Sequence, residues 1–250
     1  MKKTIISHFY NEEYLLPWWL EHHKKIFDHG IMINYHSTDS SVDIIKKICP
    51  TWEIIDTKND CFDAVKVDNE IMEIEKKLEG WRIVLNVTEF ILGDFKILET
   101  HQVTKGDILI PSIIMADTIE NEMKDLSNTE SLFDNRYHGV IPDTKQKFDV
   151  RSARRLGNYF YPYSPGRHFA NFNTTNFFIL WYGFSPFNDK MLKRKLQIQD
   201  RIPETDKEVG FGYQHVTDFK EQKRKLEILQ KDTEDVSKII KSFLKLSYGN

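Results

Sequence analysis

The sequence predicts an α/β fold: a mostly parallel central sheet flanked by helices. Three observations lead there. Short apolar runs alternate with helical periodicities through the first 85 residues. Glycine or proline punctuates most of the changes between them, at Gly30, Pro50 and Gly80. The run Trp81-Arg82-Ile83-Val84-Leu85 is apolar enough to lie centrally. Strands that alternate with helices over short connections pair in parallel, and the helices then cover both faces.

The elements follow in order. Lys3 to His8 reads as the first strand. Glu12 to Phe27 is a helix, with Leu15, Trp18, Trp19 and His22 at helical spacings and Pro17 tolerable only near its first turn. Ile31 to Tyr35 is the second strand. Ser37-Thr38-Asp39 offers an N-cap for a helix through Val42, Ile44, Ile45 and Ile48, which Pro50 stops. Trp52 to Ile55 is a third strand, and Phe62 to Leu78 a third helix. Trp81 to Leu85 is the fourth strand, with Glu89 starting the turn after it.

The second half is less regular. Ile108 to Met115, Lys147 to Arg155 and Asn176 to Trp181 read as strands, and Phe187 to Gln199 as a helix. Residues 117 to 137 read as a loop or short helix, and Val209 to His215 as an ordered loop. Thr217 to Leu246 is amphipathic and helical. Residues 1–216 are therefore expected to form one domain and residues 217–250 a C-terminal helical extension. Its apolar stripe would dock on the domain or on a second subunit, giving a homo-oligomer. A weak contact with an anionic membrane surface is the sharper alternative, since residues 220 to 245 carry eight Lys/Arg against five Asp/Glu.

Composition excludes several classes. Hydrophobic residues make up 40% of the 250 and charged residues 29%, so the chain can bury a core and is not a disordered polyampholyte. The formal net charge of -3 argues against nucleic acid as a partner, which calls for a basic face. No window approaches a membrane span, and the apolar run at the N-terminus stops at Ser7-His8, too soon for a secretion signal. Cys49 and Cys61 make neither a disulfide framework nor a zinc pattern. Together these give a cytoplasmic expectation.

In an open α/β sheet, ligands sit at the carboxyl ends of the strands. The polar residues there are Asn11 and Glu12 after the first strand, Ser37, Thr38 and Asp39 after the second, and Asn86, Thr88 and Glu89 after the fourth. The first strand runs into Tyr10-Asn11-Glu12-Glu13, with no Gly-x-Gly-x-x-Gly and no P-loop pattern. That argues against a dinucleotide dehydrogenase and a P-loop NTPase. Asp39 can accept hydrogen bonds from a base or ribose, or simply cap a helix.

The stretches His8-Phe9-Tyr10-Asn11-Glu12-Glu13, Ser37-Thr38-Asp39, Gly80 to Phe90, Gly166-Arg167-His168 and Arg194-Lys195 through His215 resemble, in this order and spacing, GT-A fold glycosyltransferases of a family 2-like group. The resemblance covers roughly residues 4 to 216. It implies a Rossmann-like sheet, a nucleotide-diphosphate sugar donor and transfer to a hydroxyl acceptor on a glycan or lipid-linked precursor. The donor would lie against Asn11, Glu12, Asp39, Asp68, Asn86 and Thr88. Arg167, Arg194 and Lys195 would neutralise its diphosphate. Asp206 is chosen as the general base, with Asp200 close behind. Glu89 would take part in catalysis and, with His215, hold Mg²⁺ or Mn²⁺. The family's Asp-x-Asp is replaced here by Asn86-Val87-Thr88-Glu89, so a weak metal site, a metal-free site using cationic side chains and loss of activity all remain open. The aromatic tract Tyr159 to Tyr163, with Trp181 and Tyr182, is either an acceptor platform or core. The competing reading is a sugar-nucleotide or glycan-binding domain without turnover. A nucleotidyltransferase is weaker, because its Gly-rich basic loop is missing after the first strand.

Overall fold

The computed structural model describes residues 1–100, 106–141, 153–164, 174, 176–208 and 216–249. The chain runs through β1 (Lys3–Phe9), α1 (Leu16–His23), β2 (His29–Asn34), α2 (Ser41–Ile48), β3 (Glu53–Asp56), α3 (Ala64–Glu75) and β4 (Trp81–Val84). It continues through β5 (Glu89–Gly93), α4 (Ile97–Thr100), β6 (Asp107–Ile110), β7 (Ser112–Ala116), α5 (Leu132–Asn135), β8 (His138–Val140) and β9 (Arg154–Gly157). β10 (Phe177–Phe184), α6 (Asp189–Leu196), a 3-10 turn (Gln199–Arg201), α7 (Glu204–Glu208), α8 (Phe219–Leu229), β11 (Glu234–Asp235) and α9 (Ser237–Tyr248) complete it.

Two sheets result. The first has the order β3-β2-β1-β4-β9-β6. Its first four strands are parallel, and β9 is antiparallel to both neighbours. This is the α/β class that the sequence predicts. The alternation of its strands decides which helix covers which face. Ile5, Met32 and Ile83 pack with Trp19 and Leu16 of α1 and Ile45 of α2. Ile6, Ile31, Ile33 and Val84 pack with Val67 and Ile71 of α3. Each such side chain fully removed from water contributes about 1.5–3 kcal/mol. Gly30 allows close approach on β2: a Cβ there would lie 2.1 Å from the Trp52 ring. Asp63 caps α3 by accepting from the Val65 and Lys66 N–H groups.

The second sheet, order β11-β8-β7-β10-β5, was not foreseen. Only β7 and β10 are parallel in it. Pro111 divides the single strand expected over Ile108 to Met115, so that β6 joins the first sheet and β7 the second. Proline cannot donate to a ladder, which makes it a natural break. Glu89 opens β5 rather than a turn. The main core continues from α1 into this sheet through Phe90, Leu92, Phe177, Ile179 and Tyr182.

The segment after residue 216 is two helices separated by a two-residue strand, not one helix. The polar run Asp232-Thr233-Glu234-Asp235 carries no apolar stripe and β11 pairs with β8. Part of the segment's apolar side is buried inside the chain, while Phe219, Ile228 and Leu246 stay exposed. Leu226 packs with Ile114, Ala116, Phe184 and Phe187, and Val236 and Ile240 join the main core. Near the end of α9, the Tyr248 hydroxyl lies 2.7 Å from His22 Nδ1. His22 Nε2 lies 2.7 Å from the Ile91 carbonyl, which can only accept, so Nε2 carries the proton and Nδ1 accepts from Tyr248. Burial pushes the His22 imidazole down to about 4. Among the described residues no helix is long and apolar enough to cross a membrane.

Candidate functional site

The carboxyl edge of β1 to β4 gathers three loops into one hydrogen-bonded unit. Asn11 follows β1 in the left-handed region, φ 50°, which asparagine tolerates better than most residues. Its Oδ1 accepts from the Thr38 N–H at 2.8 Å and the Asp39 N–H at 3.3 Å. Its own N–H donates to Ser37 Oγ at 3.1 Å. Asp39 returns the stitch: one carboxylate oxygen accepts from the Glu13 N–H and the other from the Ser41 N–H, both at 3.0 Å. Asn11 and Asp39 thus hold the loops after β1 and β2 together, with Ser40 rather than Asp39 at the N-cap of α2.

The loop after β3 is fixed by Glu70 on α3, a residue the sequence reading passed over. Its carboxylate accepts from the Tyr35 hydroxyl at 2.8 Å, Thr57 Oγ1 at 2.7 Å, the Lys58 N–H at 2.9 Å and Asn59 Nδ2 at 3.1 Å. Burial raises the Tyr35 hydroxyl, which stays protonated. Above it the rings assemble. Phe62 stacks on Tyr35 with centroids 4.8 Å apart and planes 10° apart, and Tyr10 meets Phe62 edge-on at 6.2 Å. His8 lies 5.7 Å from Tyr35.

The stretch from α6 to α7 crosses all three loops. Arg194 grips Glu12 through two N–H groups, with Nη2 at 2.6 Å from Oε1. Burial pushes the Glu12 carboxyl up and the Arg194 charge opposes that. Gln197 donates to the Asn11 carbonyl at 3.2 Å and accepts from Asn11 Nδ2 at 3.2 Å. Arg201 donates to the Tyr35 carbonyl at 3.0 Å and the Asp60 carbonyl at 3.2 Å. Its guanidinium lies 4.2 Å from the Tyr10 ring centroid and 5.5 Å from that of Phe62. The Phe62 N–H donates to the Arg201 carbonyl, and Asp206 accepts from the Ala64 N–H at 2.8 Å.

Several expected roles change with these partners. Asp206 serves the first turn of α3, which makes it an anchor of the crossing stretch rather than a base poised for an acceptor. Arg194 is spent on Glu12. Lys195 turns towards β10, donating to the Gly183 carbonyl at 3.3 Å and lying 4.0 Å from the Phe184 ring centroid. Asp68, expected to face the donor pocket, is a buried position of α3. Arg167, His168 and the loop with His215 lie outside the described residues.

The end of β4 carries the largest correction. Glu89 is fully buried. Its Oε1 accepts from Arg154 Nε at 3.0 Å and Nη2 at 2.9 Å, and its Oε2 accepts from the Asn86 N–H at 2.8 Å. The register of β9 on β4 brings Arg154 past Leu156 towards the carboxyl end of β4. Glu89 is therefore half of a buried ion pair that also shapes the Asn86–Thr88 turn. A hard divalent cation asks for several oxygen ligands, carboxylates above all. The sole carboxylate of Asn86-Val87-Thr88-Glu89 is already neutralised by a guanidinium, so this segment does not fit Mg²⁺ or Mn²⁺. The pairing spans 65 residues and left no local trace in the sequence.

The aromatic tract is not at this edge. β9 pairs Gly157 with Arg82, near the start of β4, so Tyr159 follows at the amino end of the parallel strands. There Tyr159 donates to Asp107 at 2.8 Å, Tyr163 donates to Glu75 at 2.6 Å, and Arg155 lies 4.2 Å from the Tyr161 ring centroid. Tyr182 is core, its hydroxyl donating to the Arg136 carbonyl at 2.9 Å.

No protein-family model matches the chain, and no curated protein does. Among solved structures, the chain is similar to TarS of S. aureus, at 16% identity and a TM-score of 0.35, over 53% of this chain and 40% of that one. The match therefore spans about two fifths of that TarS chain. HddC of Yersinia pseudotuberculosis is similar at 14% identity and a TM-score of 0.33, over 72% of this chain and 77% of that one. A 4-diphosphocytidyl-2C-methyl-D-erythritol synthase is similar at 12% identity and a TM-score of 0.34, over 63% and 76% of the two chains.

Proposed function

We propose that the chain is a glycosyltransferase that binds a nucleotide-diphosphate sugar at the carboxyl edge of β1 to β4. One observation carries this: the three loops and the α6–α7 stretch bring aromatic faces, backbone carbonyls and a guanidinium to that single edge. Open α/β sheets place ligands there, and planar bases stack on aromatic rings. Asn11 and Asp39 hold the loops that would line the nucleotide. Asn86 and Thr88 offer an amide and a hydroxyl where the β4 strand ends. In the reaction, the acceptor oxygen bonds to the anomeric carbon as that carbon's bond to the diphosphate breaks. The diphosphate leaves with the electron pair, and the acceptor proton passes to a base. No step is routed through a divalent cation, because the Glu89 carboxylate is held by Arg154.

The test is a thermal-shift panel of UDP-, GDP-, CMP- and dTDP-sugars with Mn²⁺ or with EDTA. A ligand that binds only the folded chain raises its melting temperature by mass action. The expected result is a shift with one nucleotide class that EDTA leaves unchanged. No shift with any donor overturns the reading. A second reading, a sugar-nucleotide-binding domain without turnover, is favoured by the same Glu89–Arg154 pair. It predicts a thermal shift with no release of nucleotide diphosphate in the presence of acceptor glycans.

A further inference from the structure

The contacts of Arg201 are those a ligand would make. Its side chain is a planar cation lying over the Tyr10 ring, and the two terminal nitrogens of the fork point at two carbonyls, Tyr35 O and Asp60 O. Those carbonyls come from different loops, one just past β2 and the other between β3 and α3. Tyr35 and Phe62 stack beside them. The arrangement is one aromatic platform and a pair of acceptors that receive a flat group with two adjacent N–H donors.

A guanidinium is not the only flat group with that edge. Guanine carries the same N–C–N unit at C2, where the ring N1–H and the exocyclic N2 amino group stand side by side. Uracil has one ring N–H flanked by carbonyl oxygens, which would face Tyr35 O and Asp60 O with repulsion. Cytosine and adenine each present an amino group next to a ring acceptor. Only guanine of the four matches both acceptors at once.

We infer that Arg201 is a built-in occupant of a guanine subsite. It fills the place in the ligand-free chain, and the base of a guanosine-diphosphate donor displaces it. This rests on the proposed function and specifies its donor. Displacement is local. Arg201 sits on a single 3-10 turn, while Arg194–Glu12, Gln197–Asn11 and Asp206–Ala64 hold the stretch on either side.

The experiment is isothermal titration of the whole chain with GDP, IDP and UDP, and of the variants Arg201→Ala and Arg201→Lys with GDP. IDP differs from GDP only in lacking the N2 amino group. Leaving one acceptor unpaired weakens IDP relative to GDP by about tenfold, and UDP falls at least as far. Removing the occupant strengthens GDP binding, since apparent affinity scales with the fraction of chains whose site is free. An occupant present nine times in ten gives about tenfold, in the lysine variant as in the alanine one. Equal binding of GDP and IDP, or a preference for UDP, overturns the guanine assignment while leaving nucleotide binding intact. Weaker GDP binding in both Arg201 variants makes Arg201 a ligand contact and overturns its role as occupant. Failure of all three nucleotides to bind wild type, and of GDP to bind either variant, overturns the proposed function with it.

Discussion

Replacing Glu89 tests whether its carboxylate belongs to the fold or to a ligand. Both partners are out of water: the side chains of Arg154 and Glu89 are 6% and 0% exposed. Removing one member of such a pair strands the other as a buried charge and costs about 3–5 kcal/mol. Glu89→Gln also gives up the charge that receives the Asn86 N–H. Against a typical total of about 5–15 kcal/mol, that is a large share of the stability. Arg154→Met strands the carboxylate and should cost a similar amount. The double variant removes both charges, so its loss should fall short of the sum of the singles by roughly 3 kcal/mol. Urea unfolding of all four chains supplies the numbers. Single losses below about 1 kcal/mol that add in the double variant would refute the buried pair. If Mn²⁺ then also stabilised wild type but not Glu89→Gln, the carboxylate would be a metal ligand after all.

Two more predictions concern protons. The His22 imidazole sits at about 4 in the folded chain against 6.5 for the free side chain. Between those values the unfolded chain takes up a proton that the folded chain refuses. The contribution is therefore complete above about pH 6.5 and lost as pH falls towards 4, amounting to roughly 2–3 kcal/mol. His22→Gln should lose that much less than wild type between pH 7 and 4.5 in urea unfolding, and equal losses would refute the assignment. Arg194→Met removes the charge that opposes the burial of Glu12, so the carboxyl rises further. A carboxyl raised in the folded state favours folding at low pH and loses that advantage as pH rises. The variant should thus melt higher at pH 5 than at pH 7 relative to wild type, and a pH-independent difference would count against the pair.

The first four strands were legible because each is a short apolar run with its own punctuation, although the crossover that sets β4 beside β1 rather than β3 leaves no such mark. The residues at their carboxyl ends, Asn11, Asp39 and Asn86, could be placed at the edge for the same reason. What those side chains bond to could not be read, since Asn11 meets Thr38 and Gln197 across 27 and 186 residues. The second sheet was hidden because its five strands come from separated stretches, and no periodicity announces which of them pair. Glu70 and Arg201 carry no local signature. One stands on a polar helix and the other on a three-residue turn, and their roles exist only once distant loops converge on them.

The hydrogen bond between His22 and Tyr248 joins groups 226 residues apart. On a ribosome adding about 5–20 residues per second, α1 must wait on the order of ten seconds or more for its last partner. Until α9 has been made, the His22 imidazole lacks its Tyr248 partner, and the main core lacks the Ile240 side chain that α9 contributes. A nascent chain therefore carries this seam of α1 open through the synthesis of everything between the two partners.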